Sequence, residues 1–260
     1  MITDSTAAIR FRITGTMRFL SHAETGRVFQ RAFARAGLPV RYSEGFNPHP
    51  RMSLPLPRPV GVEAEEELLV ARLCEGGGAV ESRAEREAAL QRALAEQLPE
   101  GMEVRAVDLV AAGVSFHPQS AEYVLPLRIG ETANLAERLQ DKIAEVMNSE
   151  RCQVERTSGE GKAVRPVDVR PFLLSVRLEG GTGSPTRDSA LGSPALMVQH
   201  RTGEGGSIRV EEILRLFGLG PQDLAGPVRR TNVIWETKER KDVLKEPCME
   251  TRAEDLEDGT

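Results

Sequence analysis

The chain has 260 residues, a formal net charge of −5 and a hydrophobic content of 40%, values that are ordinary for a soluble globular protein. No apolar run approaches the roughly 18 residues that a membrane-spanning helix needs, and the first residues lack the pattern of a signal peptide, so we expect a cytoplasmic protein with no membrane partner. Its three cysteines, Cys74, Cys152 and Cys248, are too far apart in sequence for an iron–sulfur or zinc motif, so we predict no metal and no cofactor.

The first half of the chain predicts four strands and two helices. A strand at residues 8–16 precedes Ser21 and Glu24, which fit a capping box and open a helix near His22. Strands follow at 52–57 and 66–73, then a helix at 85–97 and a strand at 102–110. This order, β-α-β-β-α-β, is typical of a ferredoxin-like fold.

The second half of the chain predicts the same order again. Its elements are a strand at 122–129, a helix at 132–148, strands at 152–157, 167–178 and 196–201, a helix at 210–217 and a strand at 228–235. We therefore predict an α+β fold with two tandem ferredoxin-like (βαββαβ) halves at 1–111 and 121–236. A short linker at 112–120 joins them, and a disordered charged tail at 237–260 follows.

Positive charge is concentrated in one segment. Residues 8–62 contain nine arginines, no lysine and two acids, so this segment carries +7 while the rest of the chain carries −12. Within it, Arg27, Arg31 and Arg35 recur at helical spacing beside the apolar stripe of the predicted helix. Such a ridge is commonly a solvated helix face. Because arginine suits bidentate recognition of phosphate or carboxylate, we favour an anion-binding role.

A stiff loop follows the predicted basic helix. In Gly45-Phe46-Asn47-Pro48-His49-Pro50-Arg51 both X-Pro steps restrict the backbone, so the side chains of Asn47, His49 and Arg51 are held in fixed positions. A plain connector between strands is the alternative interpretation. We predict an anion- or RNA-binding surface formed by Arg18, His22, Arg27, Arg31, Arg35, Arg41, Asn47, His49 and Arg51.

Several motifs resemble a known family. The stretches Arg18-Phe19-Leu20-Ser21-His22 and Gly45-Phe46-Asn47-Pro48-His49-Pro50-Arg51 look like the radical-SAM-associated family, a domain of unknown function found alone or fused behind a cobalamin-binding radical-SAM module. The resemblance implies a bacterial cytoplasmic protein whose partner is a radical-SAM enzyme, with its gene near those for ribosomal proteins. Because this chain lacks the three-cysteine motif that ligates the iron–sulfur cluster, any radical chemistry would belong to that partner.

Three functions fit these features. The first, which we favour, is a non-catalytic accessory module that binds RNA or a ribosome-related particle for a separate cobalamin-type radical-SAM enzyme. The second is a metal-independent RNA-processing endonuclease, in which His22 or His49 is the catalytic base and nearby arginines stabilise the phosphorane. The third is a protein-docking adaptor whose basic face meets an acidic partner and does not bind RNA.

Overall fold

The computed structural model describes residues 5–44, 46–74, 82–128, 135–158, 162–180, 194–203 and 205–239. Within these ranges the chain forms a mixed α/β fold with an eight-stranded, mostly antiparallel sheet, a separate two-stranded sheet and four α-helices. The helices are α1 (His22–Arg35), α2 (Arg83–Ala95), α3 (Leu135–Asn148) and α4 (Val210–Leu216). The strands are β1 (Ser5–Ile13), β2 (Met52–Ser53), β3 (Glu63–Leu73), β4 (Met102–Ala111), β5 (Val114–Pro126), β6 (Gln153–Ser158), β7 (Lys162–Asp168), β8 (Leu173–Glu179), β9 (Ala195–Arg201) and β10 (Arg229–Glu239).

The last strand lies at the centre of the large sheet. From one edge to the other the order is β4-β1-β3-β10-β5-β9-β8, and β2 pairs with the end of β3. A short parallel contact joins β10 to β3, with Arg229 opposite Glu63 and Arg230 opposite Ala64. All other strand pairs within the described residues are antiparallel. The two halves of the chain therefore share one continuous sheet.

Helix α1 forms where the sequence predicts a helix, and its capping box is confirmed. The Ser21 hydroxyl accepts a hydrogen bond from the Glu24 amide (3.3 Å), and the Glu24 carboxylate accepts one from the Ser21 amide (2.8 Å). These bonds satisfy two amides that the helix itself leaves without partners. One face of α1 buries Phe29 and Phe33, and the Phe29 ring meets the Phe11 ring edge-on at 4.7 Å between centroids.

Two hydrophobic clusters pack the helices onto the sheet. One joins α1 and α2 to β1, β3 and β4, and the other joins α3 and α4 to β5, β8 and β9. Across the part of the chain that the structure describes, no helix has the length and apolar character needed to cross a membrane. The same ranges contain no group of three or more His, Cys, Asp or Glu side chains placed to hold a metal ion.

Two predicted elements of the first half differ from the structure. The linker expected at 112–120 is mostly strand, because β5 begins at Val114 and continues a tight turn from β4. The strand expected at 52–57 is reduced to the two residues of β2. Prolines at positions 55 and 57 have no amide hydrogen to give to a strand ladder, which explains why β2 ends early.

The second half also departs from the predicted order. The strand expected at 167–178 is interrupted at Arg170–Phe172 by a 3-10 turn, where the Asp168 carboxylate accepts a hydrogen bond from the Arg170 amide (3.1 Å). Strands β6 and β7 form a hairpin apart from the main sheet. Strand β10 continues to Glu239, three residues into the predicted tail at 237–260, and the rest of that tail lies outside the described residues.

Candidate functional site

The segment between α1 and β2 folds back on itself as a small hairpin. Tyr42 pairs with Pro50 across it, and the Ser43 amide donates to the His49 carbonyl oxygen (2.8 Å). The His49 amide returns a hydrogen bond to the Ser43 hydroxyl oxygen (2.9 Å). This closed set of contacts fixes the backbone of His49, and it leaves Phe46 near the tip.

The base of the hairpin is built into the sheet. The Arg41 amide donates to the Arg72 carbonyl oxygen (2.8 Å), and the Arg72 amide donates to the Arg51 carbonyl oxygen (2.9 Å). The Arg51 amide in turn donates to the Arg41 carbonyl oxygen (2.7 Å). Strand β2 then pairs Met52 with Ala71 of β3. The backbones of two hairpin arginines and of Arg72 on β3 are therefore joined at one place.

A cavity of about 510 Å³ opens beside this hairpin. Its lining comes from the hairpin and β2, from the start of β1 and the end of β3, and from the start of β5. Within the described residues that lining includes Arg51, Arg72 and His49 together with four hydroxyl side chains, and it includes no carboxylate. Among the described residues, the lining therefore carries cationic side chains and no acidic one, a composition that suits an anion.

Arg72 lines this cavity, but the sequence analysis did not include it among the predicted anion-binding residues. On β3 the side chains of Leu69, Ala71 and Leu73 are buried in the core, so Arg72 points to the opposite face of the sheet. Its guanidinium is half-buried and forms no hydrogen bond or ion pair with any residue in the described ranges. Alternation along residues 66–73 could have identified this face, but no sequence signal showed that the hairpin lies against it.

Two aromatic side chains of the hairpin are exposed to solvent. Phe46 is fully exposed, and Tyr42 is 44% exposed. An exposed aromatic ring offers a flat apolar surface on which the bases of a single strand can stack. Both rings belong to the same hairpin as the arginine-lined cavity, although neither ring lines that cavity.

The three arginines of the predicted ridge on α1 do not share one environment. Arg27 and Arg31 are exposed and make no hydrogen bond or ion pair with any described residue. Arg35 instead donates to the side chain of Gln97 (3.2 Å) and to its carbonyl oxygen (2.6 Å), which ties α1 to the end of α2. Hydrogen bonds from Ser21 hold the pKa of Glu24 below its ordinary value, and Arg27 adds a smaller effect in the same direction.

Arg18 and Arg41 have more restricted surroundings than an RNA-binding role suggests. The Arg18 guanidinium lies over the Phe19 ring, 4.3 Å from its centroid, and donates to the Gly15 carbonyl oxygen (2.7 Å). Arg41 is only 5% exposed. Little of Arg41 is therefore open to a ligand, and what the structure shows of it is that its backbone joins the hairpin to β3.

The two histidines proposed as catalytic bases lie in different places. His22 is exposed at the start of α1, beside a small cavity that also contains Arg58 and Glu67. His49 lies in the large cavity with the hairpin arginines, and Asn47 is exposed near it in sequence. The structure therefore does not bring His22 and His49 together, and only His49 lies in the arginine-lined cavity.

Other arginines of the positive segment are neutralised within the fold. Arg10 pairs with Asp108 (3.6 Å) and Arg12 pairs with Glu65 (2.9 Å), both across neighbouring strands. Arg58 is buried, and its guanidinium donates to four backbone carbonyl oxygens. Burial lowers the pKa of Arg58. The charge of +7 counted along the sequence is therefore only partly available at the surface.

A buried ion pair joins the two halves of the chain at the centre of the sheet. Arg230 of β10 donates from Nε to Glu67 Oε1 (2.8 Å) and from Nη2 to Glu67 Oε2 (2.5 Å), and neither residue is more than 5% exposed. Arg230 also donates to the carbonyl oxygens of Leu56 (3.3 Å) and Pro57 (3.2 Å). Burial alone would lower the pKa of Arg230, but the carboxylate of Glu67 keeps it above its ordinary value.

His200 of β9 is buried in the same central region. Its ring stacks on Tyr123 with 5.1 Å between centroids, and its Nδ1 lies 2.9 Å from the Arg201 carbonyl oxygen. The other ring nitrogen, Nε2, has no hydrogen-bond partner among the described residues. Burial lowers the pKa of His200 below its ordinary value of 6.5, although the Arg201 carbonyl acts in the opposite direction. The imidazole is therefore neutral in the folded protein at neutral pH.

This buried imidazole makes stability depend on pH. As the pH falls below about 6.5 the unfolded chain takes up a proton on His200, whereas the folded chain does so only at its lower pKa, so the free energy of unfolding decreases. His200→Phe keeps a ring against Tyr123 and cannot titrate. We expect the loss of unfolding free energy between about pH 7 and 5, measured by urea titration, to be smaller in this variant than in wild type. An equal loss in both proteins would contradict this assignment.

The sequence pattern of a known family covers most of this chain. It matches residues 7–209, a range that contains α1, the hairpin, β3 and Glu67. No curated protein matches the sequence. The chain therefore belongs to the family described as uncharacterised proteins conserved in bacteria (DUF2344).

Proposed function

We propose that this protein is a non-catalytic module that binds single-stranded RNA through its hairpin surface, defined as Tyr42, Phe46, His49, Arg51 and Arg72. The observation that carries the proposal is the presence of two exposed aromatic rings on the hairpin that lines an arginine-rich cavity without carboxylates among its described residues. Proteins commonly hold a single strand by pairing cations with its phosphates and stacking aromatic rings on its bases.

Arg27 and Arg31 would provide a second contact with the phosphate backbone. Both are exposed on α1, and neither is paired with an acid in the described part of the chain. Like charges one helical turn apart repel each other weakly, so a bound phosphate would relieve that repulsion. Arg35 is excluded from this contact because its guanidinium is engaged with Gln97.

We also propose that each half of the chain is a ferredoxin-like unit. The first half has the strand order β4-β1-β3-β2, and the second half has the order β10-β5-β9-β8. If the β6–β7 hairpin is an insertion, both orders place the first strand of the unit between its fourth and third strands, and both fit β-α-β-β-α-β connectivity. Four-stranded sheets of this kind carry stacked bases in a common RNA-binding module, which is an analogy of fold alone.

The bound RNA, alone or within a ribosome-related particle, would be presented to a separate cobalamin-type radical-SAM enzyme. The support for this partner is the resemblance of the RFLSH and GFNPHPR motifs to the radical-SAM-associated family. An affinity pull-down from bacterial cytoplasm, with and without RNase, tests the partnership. Recovery of a radical-SAM enzyme from both samples is expected, and its absence from both would contradict the accessory role.

Salt titration of RNA binding tests the module itself. For a single strand, the logarithm of the binding constant falls with the logarithm of salt concentration by about 0.7 for each neutralised phosphate. The double variant Arg27→Gln/Arg31→Gln should therefore reduce the slope by about 1.4 if each side chain neutralises one phosphate. Arg92→Gln, at an exposed arginine of α2, is the matched control and should leave the slope unchanged.

Two results of this titration would contradict parts of the proposal. Wild-type protein that binds no single-stranded RNA at low salt would contradict the proposed function. It would favour the alternative of a protein-docking adaptor, in which the same basic surface meets an acidic protein. A double variant with the wild-type slope would exclude α1 from the RNA contact and leave the hairpin surface as the candidate.

The position of His49 favours one second candidate, a metal-independent RNA-processing endonuclease. His49 lines the same cavity as Arg51 and Arg72, so a base and two cations could act on one phosphodiester. Cleavage of RNA in the presence of EDTA, lost in His49→Ala and retained in His22→Ala, would support this activity. RNA that stays intact through a long incubation with wild-type protein would exclude it.

A further inference from the structure

The cavity beside the hairpin is apolar over a large part of its lining. The apolar residues that line it are Pro50, Met52, Pro55, Val70, Val114 and Phe116. A phosphate gains nothing from such residues, because they offer no hydrogen bond in place of the water that the phosphate loses. A ligand with apolar faces and a polar edge uses both the apolar and the polar parts of this lining.

Phe116 adds an aromatic ring to the lining. It lies near the start of β5, is half-buried, and comes from a segment remote in sequence from the hairpin. Planar bases of a single strand stack on rings of this kind. The volume of about 510 Å³ lies in the range of sites that hold one small organic ligand. The cavity therefore has the size and the apolar surface that one base requires.

The polar part of the lining offers both donors and acceptors. Ser43 and Ser53 line the cavity, and a hydroxyl group can donate one hydrogen bond and accept others. The Ser43 oxygen already accepts a hydrogen bond from the His49 amide (2.9 Å), so its own hydrogen is left for a ligand. A phosphodiester offers acceptors only, whereas the edge of a base carries donors and acceptors. These hydroxyl groups therefore fit the edge of a base.

Arg72 indicates which base the cavity fits. Its guanidinium is half-buried and forms no hydrogen bond or ion pair with another residue of the described ranges. Guanine carries two adjacent acceptors, O6 and N7, and an arginine that donates to both is the commonest specific contact with a base. Adenine has an amino donor where guanine has O6. A single guanidinium is sufficient for this contact, so Arg72 favours guanine.

From these features we propose that the cavity takes up one unpaired guanine base of the bound RNA strand. The inference rests on the proposed RNA-binding function and names the base that the cavity recognises. The guanine ring stacks on Phe116, Arg72 donates to its O6 and N7, and the serine hydroxyl groups bond its remaining polar edge. The exposed rings of Tyr42 and Phe46 stack on neighbouring bases of the same strand.

Short oligouridines with one variable base at the centre test this inference by fluorescence anisotropy. The central base is guanine, adenine, cytosine, uracil or 7-deazaguanine, which has a C–H group in place of N7. We expect the guanine RNA to bind about five- to 150-fold more tightly than the adenine, cytosine and uracil RNAs. The 7-deazaguanine RNA should lose most of this advantage, because it offers Arg72 one acceptor instead of two.

Two variants test whether the preference arises in the cavity. Arg72→Gln should weaken binding of the guanine RNA and bring the ratio of Kd between the adenine and guanine RNAs to within about twofold of one. Phe116→Leu keeps an apolar side chain on β5 but removes the ring, so it should also reduce this ratio. Urea unfolding checks that both variants fold.

The double variant Arg27→Gln/Arg31→Gln is the matched control. Both arginines lie on α1, and neither lines the cavity. This variant should weaken binding of all the RNAs by a similar factor and keep the preference for guanine, since contacts with phosphate carry no information about the base.

Three results would count against the inference in different ways. Equal affinity for all the RNAs, or a preference for another base, would overturn the guanine inference and leave RNA binding intact. A guanine preference that persists unchanged in both folded variants, Arg72→Gln and Phe116→Leu, would overturn its assignment to this cavity. No binding of any of the RNAs would overturn the proposed function, and this inference with it.

Discussion

Phe46→Ala and Tyr42→Ala are each expected to weaken binding of single-stranded RNA by about 1–3 kcal/mol, or roughly five- to 150-fold in Kd, because base stacking on one aromatic ring contributes this much. Phe46 is fully exposed, so its removal deletes no packing contact and should leave the free energy of unfolding unchanged. Fluorescence anisotropy with a labelled RNA measures the loss in affinity. The salt dependence should change little, because neither ring carries charge.

A matched variant separates stacking from a general loss of apolar surface. Leu174→Ala removes an exposed apolar side chain of β8, which is 38% exposed and remote in sequence from the hairpin. It should bind RNA as tightly as wild type. If Phe46→Ala and Tyr42→Ala also bound as tightly as wild type, the hairpin would not be a stacking surface.

Arg230→Met is expected to lower the free energy of unfolding by about 3–5 kcal/mol, because it leaves the Glu67 carboxylate buried without its partner. Arg58 is close enough to interact electrostatically with Glu67, so the loss should lie towards the lower end of that range. The double variant Glu67→Leu/Arg230→Met should recover much of the stability, since it replaces both charges with apolar groups. Urea unfolding followed by circular dichroism measures all three proteins.

An exposed arginine provides the control for this experiment. Arg177 pairs with Glu122 (3.0 Å) and Glu179 (2.7 Å), but its side chain is 44% exposed. Arg177→Met should therefore lower the free energy of unfolding by no more than about 1 kcal/mol. If Arg230→Met were no more destabilising than Arg177→Met, the pair with Glu67 would not be the connection between the two halves that its burial indicates.

Local features of the first half could be predicted from sequence. The capping box of Ser21 and Glu24 and the apolar stripe with Phe29 and Phe33 are confirmed, because each depends on residues within one helix. The sequence analysis predicted a stiff recognition loop with a plain connector as the alternative, and the structure shows a hairpin whose His49 and Arg51 line a cavity. Local spacing determines these features, so the sequence was sufficient for them.

Contacts between distant segments could not be predicted. Arg58 was one of the nine arginines counted in the positive segment, yet it is buried against backbone carbonyl oxygens. Arg35 was counted with the ridge, yet it donates hydrogen bonds to Gln97. The pair of Glu67 and Arg230 joins residues 163 positions apart. No periodicity within a single segment specifies which strand lies beside which, and β10 reaches the centre of the sheet through such long-range pairing.

The cavity required the same kind of long-range information. The residues that line it come from β1 and β3, from the hairpin and from the start of β5. The sequence analysis had assigned the start of β5 to a linker. Arg72 became a candidate only when these segments were placed together. The sequence therefore identified the candidate residues of the hairpin, and the structure identified the cavity that they line together with residues of β1, β3 and β5.

Photochemical crosslinking tests the central claim most directly. The wild-type protein is irradiated with a single-stranded RNA that contains 4-thiouridine, and the crosslinked peptides are identified by mass spectrometry. The proposed hairpin surface predicts crosslinks within residues 42–51, at Tyr42 and Phe46 first, and their loss in Tyr42→Ala/Phe46→Ala. Crosslinks found only outside this hairpin, or no crosslinks at all, would contradict the assignment of RNA binding to it.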